Sequence, residues 1–190
     1  RYRHGEHPKE NKIREHLDLI EAELAHSDEV IDGLLGMSEG KKLNLISFDL
    51  IALVNEVSEY CRLNESISFA ADFAESPFLV FADPALFRQV FINLFTNAEQ
   101  AMPDGGTITV SGISSPDGET VVSVSDTGNG IDKADKAKVF DALHTTKTGG
   151  VCLGLSLCRD ILQRHDGTIR IESGSNVGVQ IVMTLPKKKT

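Results

Sequence analysis

Residues 83–102, D-P-A-L-F-R-Q-V-F-I-N-L-F-T-N-A-E-Q-A-M, set the tightest limits on how this chain folds. Leu86, Val90, Leu94 and Ala98 recur at helical spacing, and Asp83 followed by Pro84 reads as an N-cap with proline at the first helical position. The spacing predicts a helix with one buried face. Gln89, Asn93, Asn97 and Gln100 fall three or four residues apart, so the same helix carries a ridge of amides. Amides beside a core need partners. They can bond to neighbouring backbone, or the row can face a ligand. Asn oxygens are hard, neutral donors suited to Mg²⁺, which keeps several waters and is commonly shared with phosphates.

Around this helix the chain reads as one globular domain plus an appendage, with 190 residues and enough length to bury a core. The net charge of −9 argues against nucleic acid as a partner, because a phosphate backbone needs a basic surface. The one basic cluster, residues 187–189, reads as a solvated tail. Cys61, Cys152 and Cys158 are odd in number and lack metal-ligand spacing, which fits reduced thiols and a cytoplasmic setting. No apolar run is long enough to cross a bilayer, so no membrane contact is expected of this stretch. The chain begins with Arg1, and it is expected to be a piece of a longer protein, itself a candidate for membrane anchoring.

Taken in order, residues 1–11 are charged and irregular. Ile13, Leu17, Ile20, Leu24, Ile31 and Leu34 then follow a heptad seam of steps of four and three, interrupted only at Ser27, predicting a long helical arm that wants a partner helix. The boundary with the globular part is placed near residue 40. A second helix is expected from Ser47-Phe48-Asp49 to about Cys61, with Leu50, Leu53, Val54 and Val57 as its apolar face. Residues 66–73 alternate as a half-buried strand, and residues 78–82 form a shorter one. After the amide helix, Pro103-Asp104-Gly105-Gly106 makes a turn, and residues 107–113 and 120–126 form a hairpin. Residues 133–150 read as a long excursion, of the kind that usually carries function. A helix over 153–164 and strands over 168–172 and 179–185 close the chain. The sum is an α+β fold, a two-layer sandwich in which a mixed sheet packs on three helices, with the helical arm at its N-terminus.

Two glycine-bearing segments carry chemistry. Asp126-Thr127-Gly128-Asn129-Gly130-Ile131 leaves an apolar strand. Its carboxylate can accept from an exocyclic amine such as that of adenine, and its glycines let backbone approach a flat ring. A plain D-x-G-x-G turn is the other reading. Residues 145–155, T-T-K-T-G-G-V-C-L-G-L, open a helix whose backbone N–H groups suit phosphate, with Lys147 able to add charge. This is neither a P-loop nor a dinucleotide-binding fingerprint.

The order N-L-F-T-N-A, D-T-G-N-G-I, V-F-D-A-L-H-T-T-K and G-G-V-C-L-G-L resembles the N box, first glycine box, F box and second glycine box of the sensor histidine kinase ATP-binding domain. That domain has the Bergerat or GHKL nucleotide fold shared with DNA gyrase and heat-shock chaperones. The flanking N-A-E-Q-A-M-P-D-G-G and H-D-G-T-I-R-I-E-S are similar to the nitrogen-regulation-type branch. Residues 13–37 resemble the second helix of the family's dimerisation and phosphoacceptor hairpin, with the first, histidine-bearing helix missing. The resemblance divides the chain into 1–40, a partial hairpin, and 41–190, the ATP-binding domain.

By position, the resemblance implies that Asn97 coordinates Mg²⁺, that Asn93 lies close to the phosphates with Gln100 beside it, and that Asp126 reads the adenine amine. Gly128, Gly130 and Ile131 would shape the base pocket. Residues 133–150 would be the ATP lid, Lys147 would approach the terminal phosphates, and Gly150, Gly154 and Leu155 would flank them. The implied cofactors are ATP and Mg²⁺. The implied reaction is transfer of the γ-phosphoryl to histidine, with Asn97 and Lys147 as the catalytic pair. The implied partners are a response-regulator receiver domain and a second copy of the full-length protein, joined through the hairpin. Val151 and Cys152 depart from the family's G-T-G in the last box, and Leu143-His144 from its aromatic pair. These departures motivate a second reading, a degenerate pseudokinase that binds nucleotide weakly and acts as a regulatory interaction module.

Overall fold

The computed structural model describes residues 42–115, 118–131, 139–140, 154–172 and 178–187. Lys41–Thr190 form a compact unit of their own. The helical arm expected over residues 13–37 lies outside the described residues.

The first helix, α1 (Leu50–Tyr60), is set by Asp49, whose Oδ1 accepts from Ile51 N at 3.1 Å as an N-cap should. The same oxygen accepts from Phe78 N at 3.1 Å, so the cap also ties the helix to a neighbouring segment. Leu50, Leu53, Val54 and Val57 are its buried face, as their spacing predicts. The start differs from expectation. Ser47, Phe48 and Asp49 are not helical but end strand β1 (Ile46–Asp49), which pairs antiparallel with β3 (Leu79–Ala82) as a separate two-stranded sheet. Four residues are too few to display a strand period, and the decisive interactions are remote: the ladder to β3 and an edge-on contact of Phe48 with Phe87 at 6.3 Å.

The main sheet has five strands, β2 (Ile67–Phe73), β4 (Gly106–Ser114), β5 (Thr120–Asp126), β6 (Thr168–Ile171) and β7 (Gln180–Leu185), in the order β2-β4-β5-β7-β6. β2 and β4 are parallel and every other pair is antiparallel, so the sheet is mixed. Alternation sorts its faces. Ile108, Val110, Val122, Val124, Ile181 and Met183 enter the core, while Ser111 and Ser123 lie on the other face and share a cross-strand hydroxyl bond of 2.8 Å. β4 and β5 form the expected hairpin, with Ser114 opposite Thr120.

α1, α2 (Pro84–Ala101) and α3 (Gly154–Arg164) share one hydrophobic core with the inner face of the sheet, giving the α+β arrangement expected. Asp83 Oδ1 caps α2 by accepting from Ala85 N and Leu86 N. The buried arc of α2 is wider than the predicted stripe: Phe87, Phe91 and Phe95 are fully buried beside Val90, Leu94 and Ala98, whereas Leu86 is only partly so. Each such phenylalanine contributes about 2 kcal/mol by burial. Phe95 stacks towards Phe69 of β2 at 5.5 Å, which fastens the helix to the sheet.

α3 runs antiparallel to α2, and polar contacts hold it at both ends. Near its start, Asn93 Nδ2 donates to Gly154 O at 3.5 Å. Beyond its end, His165 Nε2 accepts from Asp83 N at 3.0 Å and Nδ1 faces Ile161 O at 2.7 Å, an arrangement that assigns the proton to Nδ1. Cys158, between them, is fully buried and donates to Val90 O; burial pushes its thiol up to about 12.

Candidate functional site

The turn leaving β5 is held from three sides. On the helix side, Asn129 N donates to Ala101 O at 3.2 Å, seating the turn on the last residue of α2. Gly128 approaches so closely that a Cβ there would lie 2.6 Å from Ala101 O, which explains the glycine. On the β4 side, Thr127 Oγ1 accepts from Thr107 N at 3.0 Å and donates to Met102 Sδ at 3.5 Å. On the β7 side, Asp126 N donates to Val179 O at 2.9 Å and Gly178 N donates to Gly128 O at 3.0 Å. The turn is fixed by these backbone contacts and the Thr127 hydroxyl before any ligand arrives.

Asp126 stands half-buried in this frame. Its Oδ1 accepts from Gly128 N at 2.9 Å and from Val179 N at 3.2 Å, while Oδ2 has no partner among the described residues. Burial raises the carboxyl above its ordinary 3.8, and the two backbone N–H bonds oppose that rise without cancelling it. The group offers one free oxygen as an acceptor for an N–H. Gly130 follows with φ +75, the left-handed region that glycine occupies freely, and Ile131 turns back to pack on the core.

One helical turn before Ala101, and so along the same side of α2, lies Asn97. It is half-buried, and its carboxamide has no hydrogen-bond partner among the described residues. Asn93, one further turn back, is only 5% exposed, and its amide is used within the fold by Gly154 O and, more weakly at 4.0 Å, by Cys158 Sγ. Gln89 is half-buried and Gln100 is exposed. The amide ridge therefore divides, since Asn93 braces α3 while Asn97 remains available. Leu155 is partly buried against the core.

The fold thus brings Asn93 to Gly154 and brings Asp126, Gly128 and Gly130 to the C-terminal end of the helix that carries Asn97. Lys147, Gly150, Val151, Cys152, Leu143 and His144 lie outside the described residues. Gly178 and Val179 were not singled out by sequence reasoning, although both touch the Asp126 turn. A glycine just before a buried strand was their only signal, and it reads equally as an ordinary turn.

The family model described as "Histidine kinase-, DNA gyrase B-, and HSP90-like ATPase" matches residues 82–189. Sporulation kinase C of Bacillus subtilis (strain 168) is 30% identical over 179 residues, which are 92% of this chain and 42% of that protein. The chain therefore spans less than half the length of this relative. Among solved structures, the catalytic domain of histidine kinase ThkA in a nucleotide-free form is 34% identical with a TM-score of 0.67, covering 76% of this chain and 96% of that one. ThkA in complex with the response regulator protein TrrA is 29% identical with a TM-score of 0.75, covering 98% of this chain and 54% of that one. None of these names distinguishes the nitrogen-regulation-type branch.

Proposed function

Because the chain belongs to the histidine kinase-, DNA gyrase B- and HSP90-like ATPase family, as a histidine kinase ATP-binding catalytic domain, we propose that it binds ATP with Mg²⁺ and presents the γ-phosphoryl to a histidine. In this reading residues 41–190 are the ATP-binding unit, residues 1–40 are part of a dimerisation hairpin, and the acceptor histidine stands on a helix outside this chain. The protein works in the cytoplasm, joins a second copy of itself through the completed hairpin, and passes the phosphoryl group to a response-regulator receiver domain. The relative ThkA, described in complex with a response regulator, supports that partner.

The observation that carries the reading is a pair of acceptors without a partner among the described residues: Asp126 Oδ2 on a rigid turn and the half-buried Asn97 carboxamide one helical turn before the residue on which that turn sits. Asp126 accepts from the adenine amine, and Gly128 and Gly130 let the backbone lie close to the base, with Ile131 beside them. Asn97 offers its oxygen to the cation, a hard neutral ligand of the type Mg²⁺ takes alongside waters and phosphates. Asn93 holds the start of α3, where Gly154 and Leu155 stand. Lys147 and Gly150 are assigned to the phosphates, and Gln100 to the exposed rim of the site. Bound MgATP supplies the transferable phosphoryl and much of the charge neutralisation. The protein's share is positioning and electrostatics, with no covalent intermediate on this domain.

The degenerate reading is not favoured. The residues that motivate it lie outside the described part, and the kinase relatives span most of the chain. Calorimetric titration with a non-hydrolysable ATP analogue, with and without Mg²⁺, tests the proposal. Mg²⁺-dependent saturable binding is expected, and a folded protein that binds no nucleotide in either condition would overturn it.

A further inference from the structure

Gly178 and Val179 stand outside every motif that the sequence points to, yet both lie directly against Asp126. Gly178 has φ +66, and a Cβ on it would lie 1.7 Å from Asp126 O and 3.0 Å from Thr127 Cα. No side chain fits that space without moving the Asp126 backbone. The next residue completes a two-way exchange, with Asp126 N donating to Val179 O at 2.9 Å and Val179 N donating to Asp126 Oδ1 at 3.2 Å. Gly178 N closes the loop by donating to Gly128 O at 3.0 Å.

We propose that the Gly178-Val179 corner is the positioning element of the base-reading site: with Gly128 N it fills Asp126 Oδ1 by backbone N–H bonds, so that Oδ2 alone is turned to the ligand amine. This rests on the nucleotide reading above and deepens it. A free carboxylate rotates about its terminal bond and presents either oxygen. Two N–H donors on one oxygen stop that rotation and hold the other in place before binding. The corner also acts on the charge of the group, because both bonds favour the ionised form that an amine donor requires. Burial is the opposing influence, and no charged side chain among the described residues adds to it.

The test removes the Val179 N–H and reads Asp126 directly. In Gly178→Ala the new Cβ displaces the corner. In a second variant Val179 is replaced by its α-hydroxy acid, which exchanges the N–H for an ester oxygen and keeps the side chain; Cys158 offers a native ligation junction through which residues 158–190 can be supplied as synthetic peptide. The Asp126 carboxyl is titrated by ¹³C NMR in each full-length chain without ligand, and binding of the ATP analogue is followed across the same pH range. The ester variant should titrate about one pH unit higher than the parent, the size expected for one lost charge-assisted bond. The pH at which analogue binding fails should rise with it. A folded ester variant with an unchanged Asp126 midpoint would overturn the proposal, and so would weaker binding that is uniform across pH. Should Gly178→Ala not fold, the ester variant carries the test alone. A parent protein that binds no analogue would count against the nucleotide reading, while the carboxyl titration would still decide the role of the corner.

Discussion

The Asp126 turn and the amide ridge of α2 adjoin one another, yet they are built on opposite plans. The turn is held on three sides, by backbone bonds to Ala101 and the Gly178-Val179 corner and by the Thr127 hydroxyl at Thr107, and the Asp126 carboxylate keeps one oxygen without a partner among the described residues. The ridge is made of side chains, one buried and engaged at Asn93 and one half-buried without a described partner at Asn97. The difference teaches where this domain invests its stability. Under the proposed function, the part assigned to the base is finished by folding, and the part assigned to the cation and phosphates is left for the ligand to finish.

Removing Asp126 should break both at once. Asp126→Ala strips the acceptor from two backbone N–H groups and deletes the amine acceptor, so analogue binding should vanish in calorimetry while urea unfolding loses about 2–3 kcal/mol. Asn97→Ala should separate the two regions. Nothing in the described fold depends on that amide, so stability should stay within about 0.5 kcal/mol, while Mg²⁺-supported binding should fall by about 2 kcal/mol, roughly 30-fold. Loss of stability equal to that of Asp126→Ala would mean that Asn97 belongs to the frame.

Proton uptake sharpens the contrast. The Asp126 carboxyl titrates above 3.8 in the folded protein because burial disfavours its charge. The folded state therefore binds this proton more readily than the unfolded chain does, and the stability that the protonated group retains below pH 3.8 is lost as pH rises through the raised value. Ligand binding should run the other way, since the amine needs the ionised oxygen, and affinity should fall as pH drops through the same raised value. Asp126→Asn should flatten that part of a calorimetric pH profile, and a profile unchanged by the substitution would place the titration elsewhere. The smallest effect is expected at Asn93. Asn93→Ala removes a long hydrogen bond to Gly154 O and the weaker one to Cys158 Sγ and should cost about 1 kcal/mol in unfolding, with Cys158 still shielded from maleimide at neutral pH because it stays buried. Rapid native-state labelling of Cys158 in peptide mapping would instead show that Asn93 keeps the α2–α3 seam shut.

The sequence disclosed most of what local chemistry decides. Asp83-Pro84 started α2 where capping rules place it, the Leu50, Leu53, Val54 and Val57 face lay inward, and the alternation over residues 107–113 and 120–126 became an antiparallel hairpin. What stayed hidden was set by remote partners. β1 is four residues long and exists because β3 lies beside it. Asn93 and Asn97 look alike in the sequence, and only the position of Gly154 and Cys158 tells the engaged amide from the available one. Gly178 acquires its meaning from a carbonyl more than fifty residues earlier. His165 reads as a helix-end histidine until its bond to the backbone of Asp83 joins the far ends of two helices.

The most direct measurement is a calorimetric comparison of the parent chain, Asn97→Ala and Asp126→Asn, each titrated with the ATP analogue in Mg²⁺ and again in chelator. A prebuilt base site beside a ligand-completed metal site predicts that Asp126→Asn weakens binding by the same factor in both conditions. Asn97→Ala should weaken it only where Mg²⁺ is present. Equal loss in chelator and in Mg²⁺ for Asn97→Ala would contradict the account, because Asn97 would then be serving the base or the frame rather than the cation.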